Sequence, residues 1–333
     1  MPKKFLLIRF GSMGDIIHAL PAAATLRDSF PDAHIDWILD PRWQPLLEGN
    51  PTLTNIITLD RTKMSDIRAT IRQLRAERYS CAIDFQSLYK SSLIAYFSGA
   101  PERLGFPFDY CREGPAAWFY TRRIEPRGKH KVEHNLSLAQ AAGAQSADVR
   151  FPLAINAADD KIAAEELARH NVKEFFVLNP GGGWRSKCWP PARYGDLHRK
   201  LTAKYGWPGV VTIGPGEEEL AAQLVNAAGD PPPAVILVGL GPLMALLKRA
   251  KFVVAADTGP MHLASALDVP TIGLFGPTDP ARNGPFSKKD VVVHNTGVSP
   301  ITYKRGDSYS LSMLAITTEQ VVAAVEARLA KLS

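Results

Sequence analysis

Residues 252–280, FVVAADTGPMHLASALDVPTIGLFGPTDP, gather the groups best suited to holding an anion. The apolar run 252–256 reads as a buried parallel strand. Asp257, Thr258 and Gly259 then turn sharply, and Pro260 suits the first turn of a helix. That helix reaches Leu267, and a second apolar strand follows at 271–275. A strand, a tight glycine turn and a helix start leave free N–H groups and a positive dipole end beyond the strand. Thr258 adds a hydroxyl and His262 an imidazole. A phosphate or pyrophosphate fits this chemistry, although Asp257 or Thr258 as an ordinary N-cap would account for the same residues.

Four further stretches carry polar groups at strand ends. In RFGSMGDIIHALP, Gly11 and Gly14 permit close approach of backbone to a ligand, and Asp15 opens the following helix. Asp15 either caps that helix or takes a proton as a general base; a helix N-terminus keeps a carboxylate ionised and its basicity modest. The spacing is neither a GxGxxG nor a Walker A pattern, so it gives no support to a dinucleotide or triphosphate site. NPGGGWRSKCWPPARY presents three glycines whose N–H groups can meet phosphate, with Arg185 and Lys187 as cations. A solvated surface loop would carry the same residues. In IGPGEEEL, Glu217 or Glu218 can accept from ribose hydroxyls, or the acids merely decorate a helix start. DFQSLYKSS places Gln86 and Lys90 at a fourth strand end. Among the basic residues, Arg72, Arg75 and Arg78 read as a solvated helix face, whereas Arg61, Lys63 and Arg103 suit contact with an anionic acceptor.

The elements that position these groups alternate regularly. Strands are expected at 5–10, 35–39, 56–59 and 81–85, with helices at 14–29, 42–48, 65–77 and 88–97. Segment 100–130 reads as loop with short strands, and 132–142 as a helix. The pattern resets near 150–153. A helix at 159–170 precedes strands at 175–178, 209–213, 235–238, 252–255 and 271–275, and an amphipathic helix at 317–332 has Thr317 as its cap. This rhythm predicts α/β architecture with two Rossmann-like domains, 1–155 and 156–316, followed by a C-terminal helix, 317–333. Ligands in such sheets bind beyond the carboxyl ends of the strands.

The chain has 333 residues, a formal net charge of +6 and a pI near 9.2. The basic surplus favours an anionic partner, but no base-stacking pattern accompanies it, so nucleic acid is not expected. Three cysteines, Cys81, Cys111 and Cys188, lack metal spacing and suit a reducing compartment. The N-terminal apolar run has only a strand's length and is interrupted by Arg9, so neither a signal peptide nor a spanning helix is expected.

Together, IRFGSMGDIIHALPA, AIDFQSLYKSSL, NPGGGWRSKCWP and AADTGPMHLASALDVPTIGLFGPTDP resemble the ADP-heptose:lipopolysaccharide heptosyltransferases, inverting enzymes of the GT-B fold. The pieces span nearly the whole chain in the family's order. The resemblance implies two Rossmann-like domains facing each other across a cleft, with the acceptor on the N-terminal and the nucleotide sugar on the C-terminal domain. Asp15 matches the base that deprotonates the acceptor hydroxyl, and Lys187 a lysine that meets the donor phosphates. Asp257, Thr258, Gly259 and His262 match the pyrophosphate loop. Ser12, Gly182 and Gly183 fall on the donor side, Glu217 or Glu218 at the ribose, and the backbone near Val238 beside adenine. Met13, Arg61, Lys63, Gln86, Lys90 and Arg103 would meet the anionic Kdo and phosphates of the inner core.

No paired carboxylates announce a metal, so catalysis without a required metal or other cofactor is expected. The implied partners are ADP-heptose, the Kdo-lipid A inner core and the anionic face of the inner membrane, and the implied location is the cytoplasm. Relatives often carry a cysteine-rich stretch where this chain has VSPITYKRGDSYSLSM, which leaves the subgroup open. Another nucleotide sugar, a GT-B-like epimerase and a non-catalytic nucleotide-sugar binder are the alternatives.

Overall fold

Alternating apolar runs and longer amphipathic segments build two parallel sheets, one in each of the two units into which the chain divides, Met1–Ala154 and Ile155–Ser333. The computed structural model describes residues 2–145 and 148–331.

In the first unit the strands are β1 (Lys4–Ile8), β2 (His34–Leu39), β3 (Asn55–Thr58), β4 (Cys81–Asp84), β5 (Glu102–Gly105) and β6 (Arg122–Arg123). Their order across the sheet is β3-β2-β1-β4-β5-β6, every pair parallel. Helices α1 (Met13–Ser29), α2 (Gln44–Leu47), α3 (Met64–Glu77), α4 (Tyr89–Phe97) and α5 (Lys131–Ala141) join or follow them. A strand covered on both faces reads as an unbroken apolar run, and Phe5, Leu6, Leu7 and Ile8 of β1 are all buried. The chain order reverses between β1 and β4, which splays the loops leaving these two strands and opens a crevice at their carboxyl ends.

The second unit begins with α6 (Ala157–Arg169). Its strands are β7 (Phe176–Asn179), β8 (Gly209–Thr212), β9 (Ala234–Ile236), β10 (Val253–Ala256), β11 (Thr271–Phe275) and β12 (Val291–His294). Between and after them lie α7 (Pro191–Tyr205), α8 (Glu218–Ala228), α9 (Leu240–Arg249), α10 (Gly259–Ala266), α11 (Pro280–Asn283), α12 (Leu311–Leu314) and α13 (Thr318–Ala330). The sheet order β12-β11-β10-β7-β8-β9 repeats the topology of the first, with its reversal between β7 and β10.

Two features depart from the sequence reading. The short, half-buried β12 was not anticipated, because VVVH lies in a polar, glycine-containing stretch and covers only the sheet edge. The C-terminal helix is an integral layer of the second unit. Val321, Ala324 and Val325 of α13 join the core with Phe176, Trp189 and Ile272, and Arg328 pairs with Asp290 at 3.0 Å in the interior. Thr317 caps α13 by accepting from Gln320 N–H, as its sequence suggests; Leu332, the expected last residue, lies outside the described residues. Among the described residues no helix is long and apolar enough to cross a membrane.

Candidate active site: two strand ends at the sheet reversals

The second unit brings β7 and β10 together as parallel neighbours, with Ala255 of β10 opposite Asn179 of β7. The glycine loop 181–183 leaves β7, and Asp257–Gly259 leave β10, so both emerge on the same side of the reversal. Lys187, from the short turn Arg185–Lys187, places Nζ 2.5 Å from Asp257 Oδ2. Thr278 donates its hydroxyl to the same oxygen at 2.8 Å, while His262 Nε2 lies 3.4 Å from Oδ1. Burial raises the cost of the Asp257 charge, but the His262 hydrogen bond and the Lys187 cation outweigh it and hold the carboxyl well below the ordinary range.

Asp257 is therefore a spoken-for anion that fixes Lys187 and His262. Thr258 occupies the N-cap position of α10, yet its side chain does not cap the helix; the hydroxyl lies 3.2 Å from Ala256 O and 3.5 Å from Asn179 Oδ1. Absence of a side-chain cap leaves first-turn N–H donors of α10 for an external acceptor. Around this turn Lys187 Nζ stands 4.3 Å from the Trp184 ring centre, with Arg305 on the same ring at 5.7 Å and Arg185 over Tyr309 at 4.2 Å. The Ser186 hydroxyl is buried without a partner among the described residues. Cations, a hydroxyl and a helix start thus surround one buried carboxylate, an arrangement suited to a phosphate-bearing ligand.

Glu217 is the N-cap residue of α8 and accepts from Gly214 N–H at 2.8 Å. A Cβ at Gly181 would sit 2.2 Å from its Oε1, so the glycine loop is pressed against this carboxylate. Glu218 begins the helix proper and is exposed. Gly182 is held tight by Cys188, whose Sγ would be 2.7 Å from a Cβ there, whereas Gly183 faces open space. Val238 is half-buried after β9, at the sheet edge furthest in this half from the reversal.

In the first unit the matching position is the end of β1. Gly11 has φ +154°, and a Cβ there would come within 2.5 Å of Trp43 Nε1, so only glycine suits the turn. Ser12 caps α1 in a capping box with Asp15, whose Oδ2 accepts from Ser12 N–H at 3.2 Å and Ser12 Oγ at 3.0 Å. Arg9, the last polar step of the β1 segment, reaches across with its guanidinium 2.6 Å from the same oxygen. Desolvation opposes the Asp15 charge, but Arg9 and then His18, one turn on, hold the carboxyl far below its usual value. The Asp15 side chain keeps 37% exposure, so an ionised carboxylate is offered outward at a helix start.

From the adjacent β4, buried Asp84 accepts from Tyr120 and Ser91 hydroxyls at 2.7 Å each and from the N–H groups of Gln86 and Ser87. It fixes the loop that carries Gln86, whose Oε1 accepts from Phe10 N–H at 3.0 Å.

The glycosyltransferase family 9 (heptosyltransferase) profile matches residues 67–311. Lipopolysaccharide heptosyltransferase 1 of Pseudomonas aeruginosa is 31% identical, over 86% of this chain and 82% of that protein. The chain belongs to glycosyltransferase family 9. The Escherichia coli heptosyltransferase WaaC, solved with ADP, superposes with a TM-score of 0.78 at 26% identity, covering 98% of this chain and 99% of the other. The E. coli ADP-heptose lps heptosyltransferase II shares the same fold, with a TM-score of 0.82 at 23% identity over 99% of both chains. The protein is thus a glycosyltransferase with the two-Rossmann GT-B architecture.

Within this family 9 glycosyltransferase, Lys187, Asp257, Thr258, Gly259, His262, Glu217 and the glycine loop meet around one reversal. Asp15, Ser12, Met13 and Gln86 meet around the other. Arg61 borders the second group, stacked over Phe10 at 4.6 Å and 3.7 Å from Asp40. Lys63 is exposed and paired with Asp60 at 3.3 Å, and Lys90 is exposed at the start of α4. Arg103 does not join them: its guanidinium donates to Phe119 O and Ala100 O at 2.8 Å, which ties down the entry to β5. The family pattern carried no reading for Arg9 or Thr278, although each grips a site carboxylate. A cation ending an otherwise apolar strand was the available signal for Arg9; Thr278 had only its place three residues past β11. Among the described residues no group of three His, Cys, Asp or Glu side chains converges as a metal-holding set.

Proposed function

We propose that this glycosyltransferase moves heptose from ADP-heptose to the Kdo/heptose inner core of lipopolysaccharide with inversion, acting in the cytoplasm. The observation that carries the donor half is the Lys187–Asp257 pair at the uncapped start of α10. Lys187 and the first-turn N–H groups would receive the charge that builds on the pyrophosphate as ADP departs. Glu217 would accept from the ribose hydroxyls, and the backbone near Val238 would border adenine. Both relatives named above as heptosyltransferases of lipopolysaccharide, and the neighbour solved with ADP, support this choice of substrates.

Asp15 is the base in this reading. The acceptor oxygen attacks the anomeric carbon, its proton passes to the Asp15 carboxylate, and the bond to ADP breaks with its electron pair leaving on phosphate. A carboxylate held this acidic is a weak base, so proton transfer is downhill only once the forming C–O bond has acidified the hydroxyl. Arg9 keeps Asp15 aimed and ionised meanwhile. Ser12 lies beside the donor in this reading, and Met13, Gln86, Arg61, Lys63 and Lys90 face the anionic acceptor. No metal is required, because the cations at the pyrophosphate turn do that work.

ADP release from ADP-heptose, with heptose-deficient lipopolysaccharide as acceptor, tests the proposal. Release that needs the acceptor, survives EDTA and falls about 10²–10⁴-fold in Asp15→Asn with little change in ADP affinity is expected. ADP binding without acceptor-dependent release would overturn it.

A further inference from the structure

The charges at the proposed donor turn do not balance with Lys187 alone. Its ammonium is paired with Asp257, and the same carboxylate also engages His262 and Thr278. A diphosphate ester brings a negative charge on each phosphate and gains another as the bond to its sugar breaks, so a further cation is called for. The segment 299–310 supplies one. Ser186 N–H donates to Gly306 O at 3.1 Å, and a Cβ at Gly306 would stand 3.1 Å from that of Ser186, so the segment presses on the Lys187 turn. Arg185 lies over Tyr309 at 4.2 Å and clamps the same stretch. Towards its other end Thr302 N–H donates to Pro277 O at 2.7 Å, next to Thr278, and Arg282 lies over Tyr303 at 4.6 Å. The segment thus joins the two loops whose Lys187 and Thr278 grip Asp257.

Arg305 sits within this span. Its guanidinium is 5.7 Å from the Trp184 ring centre, on the indole that Lys187 also meets at 4.3 Å. That is near the outer reach of about 6 Å for a cation on a ring, so the contact does not use up the guanidinium fork. The side chain is exposed, and among the described residues it forms no ion pair, not even with Asp307, the one acid of the segment. In the turn beneath, Trp184 Nε1 and Ser186 Oγ are both buried without a partner among the described residues. The turn is rich in donors and poor in acceptors, a balance that suits an anionic oxygen.

We propose that Arg305 is a donor-binding residue that takes the sugar-bearing phosphate of the nucleoside diphosphate. In the donor reading above, on which this rests, Glu217 beside Gly181 holds the ribose. The glycine loop runs from that contact to Trp184, so a diphosphate laid along it brings its second phosphate to Arg305. A planar fork that grips two oxygens at once suits this end better than another lysine would.

Calorimetric titration of the full chain with ADP and with AMP tests the assignment with no acceptor or sugar present. Wild-type protein should bind ADP more tightly than AMP. Arg305→Gln should weaken ADP roughly tenfold or more, the order expected for one lost hydrogen bond between charged groups, and leave AMP within about twofold. Arg305→Lys, which keeps the charge and loses the fork, should fall between wild type and Arg305→Gln. The exposed position should leave the urea midpoint of both variants unchanged, so the losses are read on folded protein. Variants that bind ADP as wild type does, or that lose ADP and AMP alike, would overturn the role of Arg305 and leave the donor reading standing. Wild-type protein that binds ADP no better than AMP would overturn both.

Discussion

Lys187 and Asp257, 70 residues apart in the chain, meet at 2.5 Å with both side chains nearly closed off from solvent. Neither charge is stable there alone. Removing one partner from a buried pair costs more than the pair itself contributes, because the other is left uncompensated. Asp257→Asn should therefore destabilise the second unit by about 3 kcal/mol in denaturant unfolding, and Lys187→Met by somewhat less, since Thr278 and His262 still partner the Asp257 carboxylate. The double variant should recover much of the loss. Donor turnover should stay low in all three if Lys187 serves the pyrophosphate as proposed, which would separate that role from its structural work.

The acid dependence follows from the sign of the Asp257 shift. Its native carboxyl lies below the ordinary value of about 3.9, so its contribution is complete above that value. It is lost as the pH falls from there through the lower native value. The stability gap between wild type and Asp257→Asn should be flat from pH 7 to pH 5 and close below pH 4.

Asp15 makes a kinetic prediction by the same logic. Because Arg9 and His18 hold its carboxyl so low, Asp15 stays ionised throughout the range in which the enzyme can be assayed. The profile of kcat/KM should show no acid limb between pH 5 and pH 7 arising from this residue. Arg9→Met should move such a limb upward into the measurable range while leaving ADP affinity unchanged; a profile identical to wild type would mean that Arg9 does not tune Asp15 or that Asp15 is not the base proposed above.

His198 gives a pH effect on stability alone. It is buried on α7 beside Phe176, with Nδ1 lacking a partner, and burial, helped by Arg199, depresses its pKa to about 4. The unfolded chain binds that proton near the ordinary value of about 6.5. Stability should thus be full above pH 6.5 and decline as the pH falls toward 4, by on the order of 3 kcal/mol. His198→Leu should flatten this slope in urea titrations, and cost little at neutral pH because only the long 3.4 Å contact between Thr202 Oγ1 and Nε2 is lost.

Much of this was legible in the sequence, for a physical reason. Parallel strands buried on both faces must be apolar, so 5–10, 81–85 and 252–255 announced themselves, and the polar residues just past their ends stood out as candidate ligand groups. What stayed illegible depends on partners far away in the chain. Nothing near Arg103 shows that Phe119 O and Ala100 O will capture its guanidinium, so a loop arginine looked available for ligand. Thr278 has no local sign that it will donate to a carboxylate 21 residues back. Glu217 and Glu218 could not be told apart because a one-residue shift at a helix start exchanges the N-cap for the first helical position; the contact with Gly181 singles out Glu217 as the one beside the glycine loop.

That contact yields the last prediction. Gly181 approaches Glu217 so closely that any side chain at 181 must displace the carboxylate, which also accepts from Gly214 N–H. If the glycine loop serves the donor through Glu217, Gly181→Ala and Glu217→Ala each raise the donor KM by about tenfold, the order expected for one lost hydrogen bond to a charged group. Their effects must also fail to add, because the first variant acts by removing the second residue from its place. Combining them should cost scarcely more than either alone, whereas additive losses would mean that the loop meets the donor through its own N–H groups and independently of Glu217. Gly183→Ala, where a Cβ meets open space, is the matched control and should leave KM near wild type unless the donor itself fills that space.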